Sequence, residues 1–217
     1  MSIVYEKENQ IFHLQAKDTS YVMGVIRGHL THLYWGRKLN QYGGSRKIIW
    51  KDRGFAPNPD DLDRTFSLDT LPQEYPQTGN GDFRNCAYGI RDEKGGRISD
   101  LIYQSHEIVS GKEPLPGLPA SFGNDNEVDT LKVHMLDQIS GLKVELWYHV
   151  FQDQNVIARS VHFKNTGKEK VTLTKMLSMS VDIREAGFDV LTLYGAHNNG
   201  RNMDRRPLKS GTIQIES

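Results

Sequence analysis

Residues 127–151 read "EVDTLKVHMLDQISGLKVELWYHVF". Leu131, Val133 and Met135 fall on one side of an extended chain. After the turn "DQISG", residues Leu142, Val144, Leu146, Tyr148 and Val150 fall on one side of the return. Side chains in a strand alternate between faces, so this period of two predicts a β-hairpin with one apolar face. The other face carries Lys143, Glu145, Trp147 and His149, which is mixed and half-polar.

Outward from this hairpin the same period recurs. Residues 11–16 and 21–26 are expected as short strands parted by Lys17-Asp18-Thr19-Ser20, and 30–35 alternates again. A strand is expected over 98–109, after the turn "DEKGG". A second hairpin is expected from 156–163 and 171–182, flanking "KNTGKEK", whose Asn, Gly and charges suit an exposed turn. Residues 212–215 begin to alternate once more, so another strand, and polypeptide beyond it, is expected there. No stretch keeps a helical stripe for three turns. About seven to eleven strands with short turns and almost no helix specify an all-β, antiparallel β-sandwich.

Between Trp50 and Ala87 the pattern breaks, in a stretch holding four prolines and seven carboxylates. A structureless loop of this length inside a compact domain is functional or disordered. Phe55, Phe66, Tyr75 and Phe83 argue for an ordered excursion pinned by its rings, since disordered segments are poor in aromatics.

Composition bounds the function. The chain has 217 residues, with 27 Lys and Arg against 27 Asp and Glu. That balance offers no basic surface for nucleic acid and no polybasic attraction to a membrane. The stretch "MSIVYEKENQ" has no apolar run of the secretory type, so a cytoplasmic location is expected. The single cysteine, Cys86, is read as a small buried hydrophobe. "GNGDFR" lacks the third glycine of a dinucleotide loop, and neither a phosphate loop nor HExxH occurs. His32, His134, His149 and His162 lie on expected strands, without a partner at metal-ligand spacing. Asp125, Glu127 and Asp129 alternate as oxygen ligands for calcium could; the alternative is a solvated turn entering a strand. Asp60, Asp61 and Asp63 are crowded, as an exposed acidic loop would be. Trp35 and Trp147 alternate with apolar neighbours and are read as core or interface residues. Trp50 opens the irregular stretch and is the candidate for stacking on a ligand.

Seven blocks, in order, carry a resemblance: "LTHLYWGRKL", "RTFSLDTLPQEYPQTGNGDFRNCAY", "GKEPLPGLPASF", "EVDTLKVHMLDQISGLKVELWYHVF", "IARSVHFKNTG", "LSMSVDI" and "RRPLKSG". Together the chain resembles the N-terminal domain of bacterial α-galactosidases of glycoside hydrolase family 36. The resemblance implies a galactose-mutarotase-like β-supersandwich over residues 1–217, incomplete at its C-terminal end. A (β/α)8 barrel bearing both catalytic aspartates and a C-terminal β domain would follow. It implies hydrolysis of terminal α-1,6-galactosyl residues of melibiose- and raffinose-type oligosaccharides with retention, and therefore two barrel carboxyls about 5–5.5 Å apart. No metal or organic cofactor is implied, and a homo-oligomer, a tetramer by resemblance, is.

The resemblance further implies that this segment supplies oligomer contacts and loop residues at the mouth of the active site. In "WKDRGFAPNPDDLDRTF" the residue matched to sugar hydroxyls is Asp52, with Arg64 in the same wall. A carboxylate accepts two hydroxyl bonds, and charge-assisted bonds exceed neutral ones. The alternative is an Asp52–arginine pair that holds the loop. In "YGAHNNGRNMDRRPL" this chain has His197 where many relatives carry a tryptophan; a flexible surface loop is the alternative. The second functional reading is a non-catalytic carbohydrate-binding or assembly sandwich.

Overall fold

A computed structural model describes residues 2–43, 59, 63–183 and 187–215. Its described residues form twelve strands and no helix: β1 (Ile3–Glu6), β2 (Ile11–Gln15), β3 (Thr19–Ile26), β4 (His29–Arg37), β5 (Tyr88–Arg91), β6 (Leu101–Ser110), β7 (Val128–Asp137), β8 (Leu142–Phe151), β9 (Val156–Asn165), β10 (Thr172–Met176), β11 (Asp189–Ala196) and β12 (Asn199–Pro207). The chain divides into two units, Met1–Asp182 and Ile183–Ser217.

The first unit is an antiparallel sandwich. One sheet runs β1-β2-β3-β4, the other β6-β7-β8-β9, and β5 pairs with β10 beside them. The inward series of 127–151 does what its alternation requires. Leu131 pairs with Tyr148, Val133 with Leu146 and Met135 with Val144 across β7 and β8. All six are buried against Phe12 and Leu14 of β2, Met23 of β3 and Leu30 of β4. Each fully buried aliphatic side chain of this kind contributes roughly 1.5–3 kcal/mol. A slip of one residue would turn Lys132, Lys143 and Glu145 into that layer, so burial of one face fixes the register. At the turn, Gly141 has φ +70° and a Cβ there would meet the backbone of Gly167, so glycine is required.

Several expectations are corrected. The stretches 156–163 and 171–182 do not make a hairpin: β9 pairs with β8, whereas β10 pairs with β5. The strand expected to 182 ends at Met176. Residues 212–215 are not a strand. β1, β5 and β12 were not expected: β1 and β5 have only four residues each, too few for alternation to register, and β12 runs through the Asn, Gly and Arg residues that read as a loop. Phe66 and Tyr75 are buried pins as expected, but Phe83 is 76% exposed. Phe55 lies outside the described residues. Cys86 is half-buried rather than buried.

The second unit is the β11–β12 hairpin, with Leu193 opposite Met203 and Tyr194 opposite Asn202.

Candidate functional site

The backbone at Arg64 is anchored one residue before it. The Asp63 carboxylate accepts from the Thr65 backbone N–H at 2.9 Å and the Thr65 hydroxyl at 2.5 Å, and pairs with Arg27. The Thr65 bonds, with Arg27 beside them, hold the Asp63 carboxyl down to about 2. The Arg27 guanidinium lies 4.7 Å from the Phe66 ring centroid. Phe66, Leu68 and Leu71 then bury in a small cluster of their own against Ile26 of β3. Arg64, between the two anchors, is exposed. Local turn chemistry thus fixes the backbone here and leaves Arg64 facing solvent.

The described part of the irregular stretch beyond it, residues 67–86, is held by ions as well as by rings. It lies along β4, with His32 N–H donating to Pro72 C=O and Glu74 N–H to Leu30 C=O, both at 2.8 Å. Arg84 donates to both carboxylate oxygens of Asp82 and to the carbonyls of Leu68 and Leu71. Glu74 is wholly buried. It accepts from Tyr21 Oη at 2.7 Å, Tyr148 Oη at 2.9 Å and Arg159 at 2.8 Å. Burial pushes its carboxyl up, and Arg159 with the two phenols opposes that. Each of these three groups donates to Glu74, which is the pattern of an ionised carboxylate. Burial also pushes both phenols up, reinforced by Glu74.

This knot ties both sheets to the segment "LPQEYP", because Tyr21 is on β3 while Tyr148 and Arg159 are on β8 and β9. Arg159 also borders a cavity of about 380 Å3 with Tyr21, Tyr148, Met179 and Val181. Trp35 stands at its rim, 55% exposed, and is therefore not in this chain's core. Trp147 is buried, as expected.

His197 sits at the tip of the second unit. Ala196 pairs with Asn199, leaving His197 and Asn198 as the loop. Asn198 takes φ +61°, which asparagine tolerates better than most residues. Asn202 donates to the side chain of Asn199 at 2.9 Å, so the base of the tip is held while His197 is exposed. Trp50 and Asp52 lie outside the described residues, as do Asp60 and Asp61. Arg64 and His197 belong to different units, and both are exposed. Among the described residues no group of three His, Cys, Asp or Glu could hold a metal. Asp129 instead accepts from the Ser2 N–H and hydroxyl, and Glu127 from Asn124 N–H.

The Glu74–Arg159 pair was missed in the sequence. One signal was present: Arg159 interrupts the inward series Ile157, Val161, Phe163 of β9, so it had to point into the sandwich.

Twelve strands in antiparallel pairs, with no helix among the described residues, make this an all-β sandwich protein. The chain belongs to glycoside hydrolase family 36: residues 28–217 match the family's N-terminal domain model. It is 45% identical to α-galactosidase AgaA of Geobacillus stearothermophilus, across all of this chain and 30% of that protein. It is 43% identical to the bifunctional α-galactosidase/sucrose kinase AgaSK of Mediterraneibacter gnavus, over 23% of that protein. The crystal structure of α-galactosidase AgaB from Geobacillus stearothermophilus superposes with TM-score 0.90 at 45% identity, covering 97% of this chain and 29% of that one. The chain thus spans under a third of the length of the relatives it matches. An AgaA variant crystallised with raffinose superposes with TM-score 0.88 at 46% identity, covering 93% of this chain and 28% of that one.

Proposed function

We propose that this chain serves an α-galactosidase that hydrolyses terminal α-1,6-galactosyl residues of melibiose- and raffinose-type oligosaccharides with retention. The observation that carries the reading is the 45% identity to an α-galactosidase along the whole chain. The relative crystallised with raffinose supports the substrate class. In this reading residues 1–217 belong to the N-terminal supersandwich, and a barrel and a C-terminal β domain complete the enzyme. The segment contributes oligomer contacts, in a tetramer, and the substrate-mouth residues Trp50, Asp52, Arg64 and His197. The enzyme works in the cytoplasm without metal or organic cofactor.

The chemistry assigned to the mouth residues is modest. Asp52 accepts hydroxyl bonds, Arg64 donates them, His197 offers a hydrogen-bonding edge and Trp50 a stacking face. None replaces a nucleophile or a general acid, so residues 1–217 alone are inactive. The test uses the longer polypeptide carrying this segment, with raffinose as substrate. NMR of the first-formed product should read α-galactose, and Asp52→Ala should lower kcat/KM with the fold intact. A β-anomer product removes retention, unchanged kinetics remove Asp52, and no cleavage removes the activity.

A further inference from the structure

The sequence holds two Asn-Gly pairs, Asn80-Gly81 and Asn199-Gly200, and the reading above uses neither. Such a pair can cyclise on itself, because glycine has no side chain to shield its backbone nitrogen from the asparagine amide. The reaction needs a backbone that can bring that nitrogen onto Cγ. The fold treats the two pairs differently.

Asn80 and Gly81 are the central residues of a closed turn. Their φ values are +49° and +90°, and positive φ at both positions belongs to a type I′ turn. Gly79 N–H donates to Asp82 C=O at 3.0 Å, and Asp82 N–H donates to Gly79 C=O at 2.9 Å. Gln73 and Arg84 in turn grip the Asp82 carboxylate. Gly81 is buried, and a Cβ on Gly79 would run into Ile98. Cyclisation here must turn the Asn80–Gly81 peptide out of its frame and break both backbone bonds.

Asn199-Gly200 lies past its turn instead of inside it. Ala196 pairs with Asn199, and the register then slips, so that Gly195 faces both Gly200 and Arg201. In such a bulge the extra residue drops out of the ladder, which loosens the backbone locally. Asn199 and Gly200 are both exposed. A Cβ on Gly200 would meet nothing within 4 Å. The Asn199 amide oxygen accepts from Asn202 Nδ2 at 2.9 Å. A bond to that oxygen lies near the amide plane, whereas attack on Cγ comes from above it. The donor also faces the oxygen on which charge develops when Cγ is attacked.

We propose that Asn199 is a site of spontaneous deamidation, selected over Asn80 by the fold. The Gly200 nitrogen gives up its proton and bonds to Asn199 Cγ. The Cγ–Nδ2 bond breaks, and ammonia leaves with that proton. Water then opens the succinimide ring at either carbonyl, giving aspartate or isoaspartate. Either product adds a negative charge, and isoaspartate adds a backbone atom at the residue that pairs with Ala196. The change falls on the hairpin tip that carries His197.

The test keeps the longer polypeptide carrying this segment folded in mildly alkaline buffer and follows its peptides by mass over time. The peptide holding residue 199 should show NH2 exchanged for OH and split into aspartyl and isoaspartyl forms. It should convert about tenfold faster than the peptide holding Asn80, which must first break two hydrogen bonds. In urea the two rates should come together. Gly200 takes no positive φ and has room for a methyl group, so Gly200→Ala should keep the fold and slow conversion at 199. Four outcomes overturn the proposal. They are no conversion at 199, equal rates at the two sites in the folded protein, a preference for 199 that persists in urea, and conversion unchanged by Gly200→Ala. The third would make the preference a property of the sequence, and the fourth would place it at another asparagine. No substrate enters the readout, so failure here leaves the α-galactosidase reading standing, and the reverse also holds.

Discussion

The β7–β8 and β11–β12 hairpins follow one local rule and reach opposite environments. In both, antiparallel pairing sets apolar side chains on one face: Leu131, Val133, Leu146 and Tyr148 in the first, Leu191, Leu193 and Met203 in the second. The first set is buried, whereas Leu191, Leu193 and Met203 are 60%, 71% and 70% exposed in the chain as it stands. The stabilisation an apolar residue gives depends on the area it withdraws from water, not on its place in a pattern. The β7–β8 hairpin therefore contributes to the stability of this chain, and the β11–β12 apolar face contributes little until something covers it.

The difference can be broken first at the polar knot above β8. Arg159→Met leaves the Glu74 carboxylate buried without its cation and should cost about 3–5 kcal/mol in urea unfolding. A loss under 1 kcal/mol would mean that Glu74 takes a proton at little cost. Second, Leu131→Ala should cost about 2–5 kcal/mol, while Leu193→Ala should change the chain's stability by less than about 0.5 kcal/mol. Equal losses would show that the second hairpin is packed as the first is.

Third, the outer face of β8 should respond to acid. Burial, with Lys112, His162 and Lys132 nearby, holds His149 to about 4, below its ordinary 6.5. Between those values the unfolded chain binds a proton there and the folded chain does not, so stability rises with pH across the window. It is fully present above about 6.5 and lost as pH falls toward 4, by up to about 3 kcal/mol, less where water reaches the ring. Burial also lowers His13, His29 and His106. His149→Gln should therefore reduce the pH slope of unfolding rather than abolish it, and an unchanged slope would clear His149. The smallest effect belongs to Asp63, whose carboxyl is held from 3.8 down to about 2. Its contribution is present above pH 3.8 and is lost as pH falls toward 2. Asp63→Ala should speed proteolytic cleavage near residues 63–66 at neutral pH and leave the global melt almost unchanged.

The two hairpins also mark how much could be read without coordinates. The β7–β8 strands, their turn and their inward face were legible because a period of two over ten residues is a direct imprint of the pleat. The four-residue β1 and β5 left no such imprint. The pairing of β10 with β5 was illegible because it joins residues some eighty apart (Thr172 with Arg91), and chain neighbours gave no hint. At the candidate site, Arg64 and His197 are exposed, and nothing local announced that Asp63, Arg27 and Phe66 would hold the backbone beside Arg64.

From the amino-acid order alone came the fold class, the family and the faces of the long strands, because alternation and turn chemistry act between near neighbours. Tertiary structure alone decided which strands meet, that Glu74 would collect Tyr21, Tyr148 and Arg159 from two sheets, and that His149 would be buried on a bond to Thr130. Those outcomes depend on burial and dielectric environment, which arise only when distant segments close around the same point in space.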